Sequence, residues 1–256
     1  MPWVRRMLRL PLLALLLALG LLGLLLVQPW LPMQGRRGLV RAWSRLLMLL
    51  CGVRVREAWM GDPVAPRRLA ELVRGRLLVA NHVSWLDVFA IDSLAASAFV
   101  AKAEIRRWPV IGWLVSLAGT IYISRGSRSA MPEVLAQMRQ HLQRGYPVAL
   151  FPEGTTHAGL PLKPFHGSLL QAAIDEEADI VPIGLLYRHS DGTPGVGAYY
   201  LDETSFMQSL WTVLGASALE VRVLVLAPVQ TQGAERRALA ERIRGMLETA
   251  LTKATA

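Results

Sequence analysis

Between Leu8 and Val27 the chain carries a single charge, Arg9, in a run otherwise made of Leu, Ala, Gly, Val and one Pro. A stretch of this length and polarity is long enough to cross about 30 Å of hydrocarbon, so it constrains the fold before any other feature does. A cleaved signal peptide fits less well. The apolar run exceeds the usual h-region, and Val27-Gln-Pro-Trp-Leu-Pro32 offers no small-residue cleavage site. A second segment, Gly38 to Val53, sets Leu39, Trp43, Leu46 and Leu50 against Arg41 and Arg45, the pattern of an amphipathic interfacial helix. Arg5, Arg6 and Arg9 stand on one flank of the apolar run and Arg36, Arg37, Arg41 and Arg45 on the other, so charge chooses no side. A single span and a re-entrant hairpin are both open readings of residues 1–58, which we take as a membrane-anchoring helical region.

Composition narrows the class. The chain is 53% apolar with a net charge of +9, a mean hydropathy of +0.34 and a pI near 10.5. A basic nucleic-acid binder would interleave aromatic and basic residues on a polar surface. Here the arginines are dispersed and the tryptophans lie in apolar runs, so no nucleic-acid partner is expected. Apolar and basic together suit a surface of anionic lipids. One cysteine, Cys51, excludes a disulfide framework and a cysteine-cluster metal site; it is expected buried. His157, His166 and His189 lack ligand spacing and His141 is expected on a polar helix face, so no metal is expected.

After the turn signal Asp62-Pro-Val-Ala-Pro66 a globular domain, 62–256, is expected. Short apolar runs at 77–80, 98–101, 120–123, 147–151, 180–186, 196–201 and 221–229 read as strands. Helical patterns at 84–96, 108–118, 129–144, 166–177, 203–216 and 234–251 alternate with them. That alternation predicts an α/β domain with a largely parallel central sheet flanked by helices, behind an N-terminal apolar helical anchor. Ligands in such sheets gather at the carboxyl ends of the strands. Asn81-His82 follows 77–80, Ser124-Arg125 follows 120–123 and Pro152-Glu153-Gly154 follows 147–151, which brings these groups to one edge.

His82 and Asp87 are the candidate catalytic pair. An imidazole accepts a proton near neutral pH, and a carboxylate on its other nitrogen would fix its tautomer. Ser84-Trp-Leu-Asp87 is equally a helix-start pattern with a capping acid. Five residues subtend about 140° on a helix, so the pair meets only if His82 sits in the turn before it. Arg125 could clamp a phosphate, Glu153 could hold an acceptor hydroxyl or orient Arg125, and Gly154 and Thr155 could lend N–H groups to an anion. Lys102 could add positive charge to the same pocket.

Four blocks in order resemble the glycerolipid acyltransferase family. They are Asn81-His82-Val-Ser-Trp-Leu-Asp87, Gly119-Thr-Ile-Tyr122-Ile123-Ser124-Arg125, Phe151-Pro152-Glu153-Gly154-Thr155 and Ile180-Val181-Pro182-Ile183. The resemblance implies acyl transfer from an acyl thioester, acyl-CoA or acyl carrier protein, to the hydroxyl of a lysophospholipid, with no other cofactor. It implies His82 as general base oriented by Asp87, and Arg125, Glu153 and Gly154 at the acceptor head group. The apolar helix 108–118 would line an acyl tunnel or rest on the membrane. The expected setting is the cell inner membrane, with the catalytic domain on the cytoplasmic side. The default acceptor is 1-acylglycerol-3-phosphate. Thr156 and Ser124 replace an Arg and an Asp common in the family, and the Thr156 form resembles members acting on lyso-ornithine lipid. A non-catalytic lipid-binding membrane protein is the competing class.

Overall fold

The computed structural model describes residues 1–60, 68–108, 111–124, 130–201 and 203–255. Its elements run α1 (Pro2–Leu22), α2 (Met33–Leu50), β1 (Val53–Met60), α3 (Leu69–Leu72), β2 (Leu77–Ala80), α4 (Leu86–Leu94), β3 (Ala98–Lys102), α5 (Ile111–Leu117), β4 (Ile121–Ile123), α6 (Met131–Gln143), β5 (Val148–Leu150), α7 (Gln171–Asp175), β6 (Ile180–His189), α8 (Phe206–Gly215), β7 (Leu219–Leu226) and α9 (Arg236–Thr255). The strands form one seven-stranded sheet in the order β1-β7-β6-β2-β5-β3-β4. From β6 to β4 every pairing is parallel, while β7 runs antiparallel to β6 and β1 follows β7 in parallel. Every residue of β2 is buried, as a continuous apolar strand covered on both faces should be. One face carries α1, α2, α4 and α8, the other α6, α7 and α9.

Two sequence expectations fail here. Residues 196–201 form no strand but a single 3-10 turn, Val196–Ala198; at that point Tyr200 donates its N–H to Val83 O (2.9 Å) and so straps one loop to another instead of joining the sheet. Conversely, β1 lies inside the region read as anchor, so the sheet begins at Val53, ahead of the boundary expected at 62. The alternation Val53-Arg-Val-Arg-Glu57 carried that period-2 signal. Residues 61–67, where the turn was expected, lie outside the described residues. Element ends also move: the helix expected at 84–96 starts at Leu86, the one at 166–177 divides into a 3-10 turn and a short α7, and β6 continues to His189. His141 is half-buried with its ring edge-on to Tyr146 (6.2 Å between centroids) rather than on a solvent face.

The two N-terminal helices pack on the sheet as an antiparallel pair. Trp43 Nε1 donates to Leu16 O (3.1 Å). A Cβ at Gly20 would lie 2.3 Å from Trp43 Nε1, so the crossing needs glycine there. The basic flanks, which the sequence offers as topology signals, are structural ties. Arg5 Nε donates to Gly215 O (2.8 Å), Arg6 Nε to Trp211 O (3.0 Å), and Arg9 Nη1 to Leu214 O and Ala216 O (3.0 and 2.9 Å). Arg45 Nε donates to Ser93 O (2.7 Å) and Arg37 to Ala96 O. Five guanidiniums thus satisfy the orphan carbonyls at the ends of α8 and α4, where the helix dipole also favours a cation. Pro2–Trp30 is long and apolar enough to cross a membrane, and 11% of an apolar 18-residue stretch within it is buried. Trp3, Leu8, Leu12, Leu15, Leu19 and Leu26 remain exposed.

A second carboxylate of α4 is buried without a cation in an ion pair among the described residues. Asp92 Oδ1 accepts from Ser97 N–H (2.9 Å), and burial pushes its carboxyl up to about 8 from 3.8. The folded chain therefore holds a proton that the unfolded chain has released between these values. Stability is expected to fall as pH rises from about 4 to about 8, by at most about 1.4 kcal/mol per pH unit, and then to level off. Asp92→Asn, which keeps an oxygen for Ser97, should flatten that slope in denaturant titrations run across the window.

Candidate active site

β2 ends in Asn81, whose side-chain amide continues the ladder to β6: Nδ2 donates to Leu185 O (3.1 Å) and Oδ1 accepts from Leu185 N–H (2.7 Å). The chain then turns, and His82 is fixed on every side. Its N–H donates to Glu153 Oε1 (2.9 Å) and its carbonyl accepts from His157 N–H (3.0 Å). Its ring stacks on Phe151, 3.9 Å between centroids and 8° from parallel. Nδ1 lies 2.8 Å from Asp87 Oδ2.

Asp87 opens α4 and is fully buried. Its Oδ2 also accepts from Val83 N–H (2.7 Å) and Ser84 N–H (2.9 Å), and its Oδ1 accepts from Tyr187 Oη–H (2.7 Å). The capping and catalytic readings of this carboxylate are therefore one arrangement: the bonds that close the helix start also aim Oδ2 at the imidazole. With a carboxylate on one side, the network assigns the proton to Nδ1. Nε2 keeps its lone pair, and the side chain is 20% exposed. An imidazole so held can take a proton from a hydroxyl at Nε2, with a buried anion behind it to stabilise the imidazolium.

Tyr187 is the residue that sequence reasoning missed. β6 runs on past the end of β2, and its side chain at 187 comes level with Asp87, 100 positions away in the chain. Burial first, then the neighbouring Asp87 charge, pushes its hydroxyl well above 10, so it remains a neutral donor. No local signal marks it; only the β2–β6 pairing brings the two together.

The Phe151–His157 loop closes the other side. Glu153 is turned inward, with Oε1 on His82 N–H, Oε2 accepting from Lys163 N–H (3.0 Å) and His157 Nε2 against Oε2. His157 Nδ1 accepts from Gly159 N–H (3.1 Å), which leaves the ring proton on Nε2, facing that carboxylate. The carboxylate satisfies two backbone donors that would otherwise be buried unpaired; Arg125, which the sequence suggested it could orient, lies outside the described residues. Gly154 sits at φ +69°, in the left-handed region that favours glycine, and its N–H is given to Phe151 O (3.0 Å) rather than to an anion. Thr155 follows in the same loop. Thr156 Oγ1 donates to Tyr200 O, so the Tyr200 segment holds this loop and the His82 loop together.

One of the two remaining candidates falls along the same edge. Lys102 ends β3 beside Ile123 of β4, half-buried; Arg125 lies outside the described residues. An aromatic group flanks the His82 turn: Trp85 packs edge-on to Phe206 (5.3 Å) and Phe89 (6.0 Å), and Trp108 lies 5.9 Å from Phe206. The apolar helix expected at 108–118 is α5, with Trp113 exposed. Among the described residues no three His, Cys, Asp or Glu side chains converge on a metal position.

Comparison with known proteins shows the family to which the chain belongs. A family model described as Acyltransferase matches residues 67–186. The lyso-ornithine lipid O-acyltransferase of Pseudomonas aeruginosa is 36% identical over 175 residues, covering 68% of this chain and 67% of that protein. The 1-acyl-sn-glycerol-3-phosphate acyltransferase of Neisseria meningitidis is 37% identical over 178 residues, covering 69% of each. In fold, the crystal structure of a 1-acyl-sn-glycerophosphate acyltransferase from Thermotoga maritima superposes with a TM-score of 0.66 at 18% identity, over 100% of this chain and 98% of that one. The chain belongs to this acyltransferase family and is an O-acyltransferase, and its exposed apolar α1 fits membrane association.

Proposed function

We propose that this O-acyltransferase moves a fatty acyl group from an acyl thioester to the free hydroxyl of a lysophospholipid at a membrane surface, with His82 as general base. The observation that carries the reading is the His82 Nδ1···Asp87 Oδ2 bond of 2.8 Å, which leaves Nε2 as an acceptor at the open edge of the sheet. Nε2 takes the proton of the acceptor hydroxyl as its oxygen attacks the thioester carbonyl. The tetrahedral intermediate collapses, the C–S bond breaks, and the imidazolium returns the proton to the leaving thiolate. No acyl-enzyme is needed. Glu153 and His157 hold the His82 backbone, Lys102 and Arg125 supply positive charge for the acceptor head group, and acyl-CoA or an acyl carrier protein is the donor. The exposed leucines of α1 lie in the inner membrane, with the catalytic edge on the cytoplasmic side.

The acceptor is taken as 1-acylglycerol-3-phosphate. Lyso-ornithine lipid is the second reading, favoured by Thr156: a hydroxyl tied to Tyr200 O stands where a cation would meet a phosphomonoester. A mass-spectrometric acylation assay in membranes, offering both lyso-lipids side by side, separates the two. His82→Ala is expected to lower acylation of the true acceptor by about 10²–10⁴-fold, the range of general-base catalysis, with membrane association retained. Lyso-lipid binding without turnover in the wild-type chain, with either donor, would instead mark a lipid-binding protein.

A further inference from the structure

The edge of the sheet opposite His82 carries a second concave site that acyl transfer does not use. The segments leading into β2, β3 and β5 meet there with the first half of α2. They enclose about 290 Å³, lined by Arg37, Arg41, Arg74, Ala96, Arg144 and Tyr146 among others. No Asp or Glu among the described residues lines the cavity. Among the described residues none of the four arginines forms an ion pair. Arg37 is held rigidly, its Nε and Nη2 on Ala96 O (3.3 and 3.1 Å) and its guanidinium 5.5 Å from the Tyr146 ring centre. Arg41 Nε is buried with no hydrogen-bond partner among the described residues. A buried donor left unpaired is costly, and guanidiniums drawn from separate elements into one cavity repel each other. Burial first, then the Arg41 charge, disfavours the charge on Arg37, with Arg74 adding to this and Tyr146 and Asp92 opposing it; burial first, then Arg144 and Arg37, disfavours a proton on nearby His141. A bound anion would offset the mutual repulsion and give Arg41 Nε a partner.

We propose that this cavity binds a phosphate-bearing anion, at a site separate from the acyl-transfer centre. The planar forks of Arg41, Arg74 and Arg144 match phosphate oxygens bidentately. Arg37 and Arg41 belong to the apolar N-terminal pair, and Arg74 and Arg144 to the body of the sheet. A bound phosphate therefore ties the one to the other. The same chemistry comes from the head group of an anionic phospholipid or from a soluble phosphate.

The test uses the full chain in neutral detergent, with inorganic pyrophosphate as probe and sulfate at matched ionic strength as control. The unfolding temperature of the wild type is expected to rise saturably with pyrophosphate, and the rise to vanish in Arg74→Ser/Arg144→Ser, whose acyl-transfer centre is intact. Co-sedimentation with phosphatidylcholine vesicles, with and without phosphatidylglycerol, identifies the source. A loss of about fivefold in affinity for the anionic vesicles per arginine removed, the order of one cation at such a surface, marks a lipid head group. Unchanged vesicle binding alongside a lost pyrophosphate effect marks a soluble phosphate. A pyrophosphate effect that is absent from the wild type or persists in the double variant, with vesicle binding unchanged, overturns the proposal.

Discussion

Asp87→Asn is expected to lower turnover by about 10³–10⁴-fold while the chain still folds and still partitions into membranes. The asparagine oxygen can stay with Val83 N–H, Ser84 N–H and His82 Nδ1–H, and its amide can face Tyr187 Oη, which turns to accept. The geometry is largely kept, and what disappears is the negative charge. An imidazolium forming at His82 would then be paired only with a neutral dipole in a site where the carboxylate is fully buried. The effect should appear in kcat, measured on lyso-lipid in detergent or membranes, with an unfolding temperature close to that of the wild type. Near wild-type turnover would leave Asp87 as a helix cap and nothing more. Asp87→Ala is a harsher change, because it strands buried donors at about 1–3 kcal/mol each and so mixes instability with lost chemistry.

The second large effect is expected from Glu153→Gln, and its form distinguishes two roles. The carboxylate gives Oε1 to His82 N–H and Oε2 to Lys163 N–H and His157. A glutamine has one oxygen for these donors, and its NH₂ must point at an N–H. One backbone donor is left unpaired and the His82 turn shifts. A displacement of about 1 Å in a catalytic group costs on the order of 10²-fold. We expect kcat to fall by about that factor with KM little changed, because the side chain braces the base rather than touching the acceptor. A raised KM with kcat preserved would instead place Glu153 at the head group.

Much of the architecture was legible without coordinates. Buried runs such as Leu77–Ala80 have the length and polarity of interior parallel strands, and the helical stretches between them force crossovers. That alternation, with chemical groups placed just after three strands, is enough to bring His82 and Glu153 to one edge; Arg125, the third, lies outside the described residues. The helix expected from 203 starts at Phe206, where Ser205 and Gln208 form a capping box. β1 was missed because Gly52 is the only break between its alternation and the apolar helix before it, and 196–201 was misread because a short apolar run fits a strap as well as a strand.

Residue type, period and spacing therefore determined the class of fold and the placing of His82 and Glu153 at the carboxyl edge, and offered His82 and Asp87 as a pair. All of these depend on neighbours in the chain. Tertiary structure decided whatever depends on which distant elements become neighbours in space. Arg5, Arg6 and Arg9 look like charges flanking a span, yet they bond carbonyls more than 200 positions away at the end of α8. Glu153 looks like a group offered to substrate, yet it turns inward because the loops at 82 and 163 present backbone donors that burial would leave unpaired. Tyr187 carries no local mark at all and gains its place behind Asp87 only because β6 pairs with β2 and runs past its end.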